Sequence, residues 1–366
     1  MTQQPQTTLT TTLPTSMRAI GYTASLPIDN PQALQDLVLP LPSLKPHDLL
    51  VKISAIAANP VDYKIRKNRP ASAEKPEILG WDAVGTVVAT GEAVTLFQTG
   101  DQVFYAGALD RPGANSEYHA VDERLVGHKP QTLSDAEAAA LPLTAITAWE
   151  LLFDRLQLDQ PATTPPTYAQ KVLLISGAAG GVGSIMVQLA KLRTDAIVIG
   201  TASRPESQDW VKALGADYVI NHQLPIEEEL ARIGINQVSH IASLVDTAAY
   251  YEQFIAALAP QGKLALIDDP KIALDIRPLK LKSLSLHWEL MFTRSLFQTP
   301  DQQQQHQLLN QVAALVDHGQ LKTTVGQHLG LINAANVRLA HHLLEQGSVI
   351  GKLVLAGFPQ EHAALV

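Results

Sequence analysis

KVLLISGAAGGVGSIMVQLAKL, residues 171–192, passes from an apolar run through a knot of glycines into an amphipathic run. Glycine weakens the interior of any regular element. Four of them within seven residues (Gly177, Gly180, Gly181 and Gly183) therefore mark a place where something comes very close to the backbone. Gly180 and Gly183 fit the last two glycines of the dinucleotide fingerprint, with Ala178 where the first is usually found. In that reading Gly180 lets the backbone approach a pyrophosphate, and Gly183 lets the helix pack closely on the sheet. The helix opening near Gly181 and Val182 offers unpaired N–H groups and a positive dipole end to phosphate. The motif follows a predicted strand and opens a predicted helix, the context that gives it meaning.

From Lys171 onward strands and helices alternate. After the first pair come the strand AIVIGTA, the helix PESQDWVKALGA ending at Gly215, and the strands DYVIN and HIASLVDT. The helix YYEQFIAALAP and the strand KLALID follow. This rhythm implies a parallel sheet with both faces covered. The end of the second strand selects the nucleotide. An NAD site usually places Asp or Glu about 20 residues on, to bond the ribose 2′-hydroxyl. This chain has Thr201, Ala202, Ser203 and Arg204 there. No carboxylate repels a 2′-phosphate, and the forked guanidinium of Arg204 can pair with one. NADPH is the expected cofactor, the alternative reading being a solvated loop arginine.

The region from Met17 to about Trp149 is broken by turns and reads mainly as strand. DLLVKISAIAANP closes at Pro60, and DAVGTVVATG and GDQVFYAG are short runs bounded by glycine. LSDAEAAALPLTAITAWELLFDRL has a helical pattern that Pro142 should divide. The proline- and threonine-rich DQPATTPPTYAQ reads as a surface loop. Near the C-terminus, TPDQQQQHQLLNQVAALVDHG reads as a helix with Thr299 as N-cap and Gly319 at its end. Gln302 to Gln305 read as its solvated face, and His341 and His342 as partly exposed helix residues.

The 366 residues allow two domains. A net charge of -8 gives no basic footprint for nucleic acid or an anionic membrane. The absence of cysteine excludes disulfides, thiolate zinc sites and a cysteine nucleophile. It also makes a cytoplasmic location the default. The polar, Thr/Gln-rich residues 1–16 read as a disordered tail and not as a signal peptide. No uncharged apolar run approaches the roughly 18 residues of a membrane span.

Taken together, AIAANPVDYKIR, PEILGWDAVGTVVATG, GDQVFYAG, NSEYHAVDERLVGHKP, AAALPLTAITAWELL, SGAAGGVGS, ALGADYVIN and GKLVL resemble the medium-chain dehydrogenase/reductase superfamily. The likeness is strongest to its quinone oxidoreductase (zeta-crystallin-like) and zinc-type alcohol dehydrogenase-like branch. The runs keep the family's order from Met17 to about Leu355. The resemblance implies an α/β chain with a GroES-like, β-rich catalytic domain (17–148), a Rossmann NADP-binding domain with a doubly wound parallel sheet (149–285) and a return to the catalytic domain (286–358). A second tail (359–366) would follow. It further implies a cleft between the domains, and a homodimer.

Metal-dependent relatives use a cysteine near the position of Asn59 and a His-Glu pair where this chain has Trp81-Asp82. The donors expected around catalytic zinc are thus missing, and no metal is expected. The resemblance places Asn59 and Tyr63 beside the nicotinamide as catalytic candidates, although quinone reductases place their tyrosine one position later, at Lys64. Thr147 and Lys352 align with positions that face the cofactor. The expected activity is NADPH-dependent hydride transfer to a quinone or an α,β-unsaturated carbonyl without zinc. Reduction of aldehydes or ketones, and a nucleotide-binding protein with little turnover, are the alternatives.

Overall fold

The computed structural model describes residues 13–159 and 170–360. Most of both expected tails and of the proline-rich loop lies outside the described residues. The first domain opens with β1 (Ser16–Tyr22), β2 (Gln35–Pro40), β3 (Asp48–Ala58), α1 (Pro60–Asn68), β4 (Glu77–Ile78) and β5 (Ala83–Thr90). It continues with β6 (Gln102–Tyr105), β7 (Tyr118–Asp122), β8 (Val126–His128), α2 (Asp135–Ala139) and α3 (Pro142–Trp149). The second domain alternates strand and helix: β9 (Val172–Ile175), α4 (Gly181–Arg193), β10 (Ile197–Thr201), α5 (Pro205–Ala213) and β11 (Tyr218–Ile220). After them come α6 (Ile226–Arg232), β12 (Val238–Ser243), α7 (Thr247–Ala257), β13 (Leu258–Leu266) and β14 (Ser285–Trp288). The chain then returns through α8 (Thr293–Phe297), α9 (Gln304–Asp317), β15 (Val325–His328), α10 (Ala334–Glu345) and β16 (Lys352–Ala356).

The second domain is a six-stranded parallel sheet in the order β11-β10-β9-β12-β13-β14. Its central strand β9 is buried at all four positions, as a run covered on both faces requires. The sheet extends to Trp288 along β14, three residues past the boundary expected at 285. The first domain carries a seven-stranded sheet, β15-β16-β3-β5-β6-β8 with β7 on β3, and a smaller sheet β2-β1-β4. In β2 half-buried and exposed positions alternate, the pattern of a strand with one open face. β15 and β16 come from the C-terminal return, so the two ends of the chain build one sheet around the inserted parallel one.

Pro142 divides the apolar helical run as expected, between α2 and α3. α3 continues into a π-helical segment, Glu150–Arg155. The whole run, Asp135–Arg155, is long and apolar enough for a membrane span but is 78% buried inside the protein. It is a core helix.

Three local expectations differ from the structure. The helix expected from Thr299 starts at Gln304, because residues 301–303 form turns first. Gln302 and Gln305 are buried and not solvated, and the Gln305 amide donates to the Met291 carbonyl at 2.6 Å. His341 is fully buried, whereas His342 is half-buried. A run of one polar residue type hides which of its members a helix turns inward.

Gly183 shows why the parallel layer needs glycine in its first helix. A Cβ built there would lie 2.5 Å from the Ala178 Cα and 2.6 Å from the Ala178 carbonyl oxygen. Both are backbone atoms that cannot swing aside. Gly183→Ala is expected to destabilise the protein by about 1–3 kcal/mol through overpacking. Urea unfolding followed by circular dichroism measures it, and an unchanged midpoint refutes the close approach.

Candidate active site

The two domains meet at the glycine loop. The Gly351 N–H donates to the Ala179 carbonyl at 2.8 Å, and Gly180 and Gly351 form an isolated parallel bridge. Lys352, the first residue of β16, therefore begins where the loop ends.

Gly180 caps α4 with an extended backbone (φ -75°, ψ 178°) and no side chain to occupy the first N–H groups of the helix. A Cβ built there meets only the Gly177 carbonyl, at 3.4 Å. The loop is thus an open cradle at a helix N-terminus, suited to a dinucleotide pyrophosphate. Ala178 is buried behind it, and Val182 is half-buried. Gly177 takes a positive φ of 65°, and its N–H donates to Thr201 Oγ1 at 3.1 Å. This bond ties the loop to the end of β10. Beyond it Ala202 is buried, Ser203 half-buried and Arg204 exposed. Arg204 Nη2 donates to the Ser348 carbonyl at 2.6 Å, so the catalytic domain holds one arm of the guanidinium fork.

Lys352 lies on the other side of Gly181. A Cβ on Gly181 would sit 2.8 Å from Lys352 Cδ and 3.1 Å from Thr144 Cγ2. The lysine stem thus touches the loop, but its ammonium turns to the floor of the catalytic domain. Lys352 is only 3% exposed. Its Nζ donates to the Ala58 carbonyl at 2.8 Å, to Asn59 Oδ1 at 2.5 Å and to Asp82 Oδ2 at 2.9 Å. Those are all the donors an ammonium has. Asn59 Nδ2 donates to the same Asp82 oxygen at 2.8 Å, and Asp82 Oδ1 accepts the Leu143 N–H at 2.7 Å, in the first turn of α3. Burial raises the Asp82 carboxyl above its ordinary range, while the Lys352 charge, the Leu143 N–H and the Asn59 amide pull it back.

The Asn59 side chain turns to this floor while its backbone stays tied to the first turn of α1. The Asn59 N–H donates to Asp62 Oδ2 at 2.7 Å. Asp62 is 1% exposed, its Oδ1 has no partner, and burial pushes its carboxyl up to about 7. The spacing Asn-x-x-Asp after an apolar strand carried that signal, and sequence reasoning stopped at the asparagine.

Tyr63 stands outside this cluster. It is half-buried, with the Lys67 ammonium 5.1 Å from its ring centre. Its neighbour Lys64 crosses to the second domain and pairs with Asp269, beyond β13, at 2.9 Å. Thr147 is buried and donates within its own helix, to the Leu143 carbonyl at 2.8 Å. Thr144, just under one turn earlier, is the α3 threonine against the glycine loop, and the sequence did not single it out.

Zinc does not fit this floor. An amide, one carboxylate and an ammonium surround the place where metal-dependent relatives would supply thiolate and imidazole, and the ammonium is itself a cation. Among the described residues no group of three or more His, Asp or Glu side chains could hold a metal ion.

Comparison with known proteins agrees with this two-domain arrangement. Residues 45–131 match the family model described as alcohol dehydrogenase GroES-like domain, and residues 214–355 the one described as zinc-binding dehydrogenase. The chain is 38% identical to a zinc-type alcohol dehydrogenase-like protein of Staphylococcus aureus strain COL, over 93% of this chain and 99% of that one. It is 32% identical to the 2-methylene-furan-3-one reductase of Solanum lycopersicum, over 70% of this chain and 67% of that one. A solved structure from Rhizobium etli, assigned to the zinc-dependent alcohol dehydrogenases, superposes with a TM-score of 0.90 at 50% identity. It covers 94% of this chain and 99% of the other.

Gly180→Ala separates cradle from scaffold. The added methyl meets no packed neighbour, so the melting temperature should stay within about a degree, as for a surface change. It intrudes where phosphate would sit, and loss of one charge-assisted hydrogen bond weakens binding about tenfold or more. Fluorescence titration with NADPH checks this, and unchanged affinity refutes the cradle.

Proposed function

The chain belongs to the medium-chain dehydrogenase/reductase superfamily, and from that premise we propose that it is an NADPH-dependent oxidoreductase that transfers hydride to a conjugated acceptor, an enone or a quinone, without a catalytic metal. The observation that carries the proposal is the buried Lys352 ammonium, with all three donors committed to Ala58, Asn59 and Asp82.

The glycine loop and the first N–H groups of α4 would hold the pyrophosphate, and Arg204 would hold the 2′-phosphate. Bound NADPH supplies the hydride. At the floor, Lys352 fixes Asn59 and Asp82 in one geometry. Because these groups already satisfy one another, the floor has little left with which to polarise an isolated carbonyl oxygen. An acceptor that spreads the incoming charge over a conjugated system needs less such help, and orientation against the cofactor supplies much of the rate. The name of the Solanum relative, a reductase of an exocyclic enone, supports the same acceptor class.

We place the protein in the cytoplasm as a homodimer, with no nucleic-acid or membrane partner, in keeping with its acidic, cysteine-free composition. Among the described residues β14 is one of the two edges of the parallel sheet, and Trp288 and Leu290 at and beyond its end are 54% and 49% exposed. An unpaired edge beside apolar side chains suits a second copy of the chain. Sedimentation at a single monomer mass would remove this part of the proposal.

Initial rates of NADPH oxidation with enones, quinones, aldehydes and ketones test the activity. Turnover confined to the conjugated acceptors is expected. Efficient reduction of saturated aldehydes would favour the carbonyl reductase alternative, and no turnover with any acceptor the binding-protein alternative. Elemental analysis tests the floor: one tightly held zinc per chain, with activity lost on chelation, would overturn the metal-free reading.

Arg204 supplies the test of the cofactor. A guanidinium bond to phosphate is worth about 1.5–3 kcal/mol, so NADPH should bind at least about tenfold more tightly than NADH. Arg204→Ala should weaken NADPH alone, and Ala202→Asp should reverse the preference by repelling the phosphate. Equal losses for both cofactors would refute this assignment of the β10 loop.

A further inference from the structure

The two domains touch in two different ways along one edge of the parallel sheet. Beyond β9 the contact is made by backbone groups. The Gly351 N–H meets the Ala179 carbonyl, and the buried Gln188 side chain on α4 bonds the carbonyl and N–H of Lys322 at 3.3 and 2.8 Å. Beyond β13, two strands along, the contact is an ion pair: Lys64 Nζ on α1 donates to Asp269 Oδ2 at 2.9 Å. Neighbouring strands lie about 4.8 Å apart, so about 10 Å of sheet edge separates the two contacts. Between them, past the end of β12, Val245 is 51% exposed. In open α/β sheets the carboxyl ends of the strands are where ligands bind. The uncovered stretch between the two contacts is therefore the mouth of the cleft.

Both ends of the ion pair stand on fixed frames. Asp268 accepts the Thr247 N–H at 2.8 Å and the Thr247 hydroxyl, which ties the turn after β13 to the start of α7. Pro270 restricts Asp269 to extended backbone. On the other side, Lys352 holds Asn59 at the start of α1. The fully buried Arg66 holds the far end of that helix, bonding Glu345 of α10 at 2.5 Å. Lys64 lies between these two anchors. The pair thus separates when the domains move apart, not when a loop swings.

The pair is also a weak one. Lys64 is 42% exposed and Asp269 83%, so water and salt screen the charges. An exposed pair shifts an equilibrium by about fivefold at most. That strength suits a contact that has to break and re-form. We propose that Lys64 and Asp269 form a salt-sensitive latch across the cleft, with the Gly351 contact as its hinge. The latch opens to let a molecule reach or leave the sheet edge, and closes behind it.

The chain has no cysteine, so two introduced ones take spin labels without competition. Asn68 and Lys271 are exposed and flank the pair, one on each domain. Labels on N68C and K271C report opening as a distance, read by double electron–electron resonance on the full chain without cofactor. At about 50 mM salt, Lys64→Gln or Asp269→Asn should raise the ratio of long to short distances by up to about fivefold. The double variant should open no further than either single one, because the same pair is broken in all three. About 1 M salt should bring the unaltered pair to the same distribution. Distributions that coincide throughout, a shift in only one single variant, or additive shifts overturn the latch. Both substitutions are on the surface, where folding tolerates them.

A second reading rests on the nucleotide binding proposed above. Displacement of NADPH from preloaded protein, followed by stopped-flow fluorescence, should be up to about fivefold faster in K64Q and in D269N. Equal release rates overturn the gating role. If NADPH does not bind at all, the proposed function falls, and the distance measurement still decides the latch.

Discussion

A positive charge with little water around it must be held by protein oxygens, and the Lys352 ammonium is held by three. Its position explains why the rest of the site is arranged as it is. Lys352 opens β16 just after Gly351 bridges the glycine loop, so the contact that docks the domains also delivers the charge to the floor. Asn59 meets it from the start of α1, with its own N–H held by Asp62. Asp82 balances it and at the same time caps α3 through Leu143. Removing one partner of such a buried pair leaves the other uncompensated, which costs about 3–5 kcal/mol. Loss of Asp82 or of Lys352 should therefore disturb fold and chemistry together.

The parallel domain was legible because its signals are local. Four glycines between a strand and a helix, and the absence of an acid after β10, are readable within a few residues of one another. The role of Gly183 depends on nothing more distant than Ala178. The floor was only half legible. The bonds from Asp82 to Asn59 and to Lys352 span 23 and 270 residues, and no periodicity links them. Lys352 could be aligned with a family position, yet the direction of its ammonium is fixed by acceptors on β3 and before β5. Thr147 and Thr144 illustrate the same limit: both are buried on one short helix, and only packing shows which of them meets the loop. The burial of His341 and the glutamine turned toward Met291 were invisible for that reason too.

The zinc in the names of the matching family and relatives is consistent with this floor if the fold and the metal are separable. The scaffold needs some charge-balancing group where β3, β5 and β16 converge near the helix end. A metal with thiolate and imidazole can serve, and so can an ammonium between an amide and a carboxylate. The second solution keeps the donor set compact but leaves no open coordination position, and it is open coordination that lets a metal polarise a substrate oxygen.

α3 connects the two buried carboxyl sites, and its ends treat them differently. Asp82 accepts an N–H in its first turn, at the positive end of the helix, where a carboxylate is favoured. Glu150 stands where α3 passes into the π-helical segment, so the helix continues past it and no free carbonyl end faces it. Asp82 also has an ammonium within 2.9 Å. Glu150 shares the Arg294 guanidinium with Asp154 and Asp301. One short helix thus meets an ion pair beside the glycine loop at its start, and an arginine shared among three carboxyl groups where it turns π-helical.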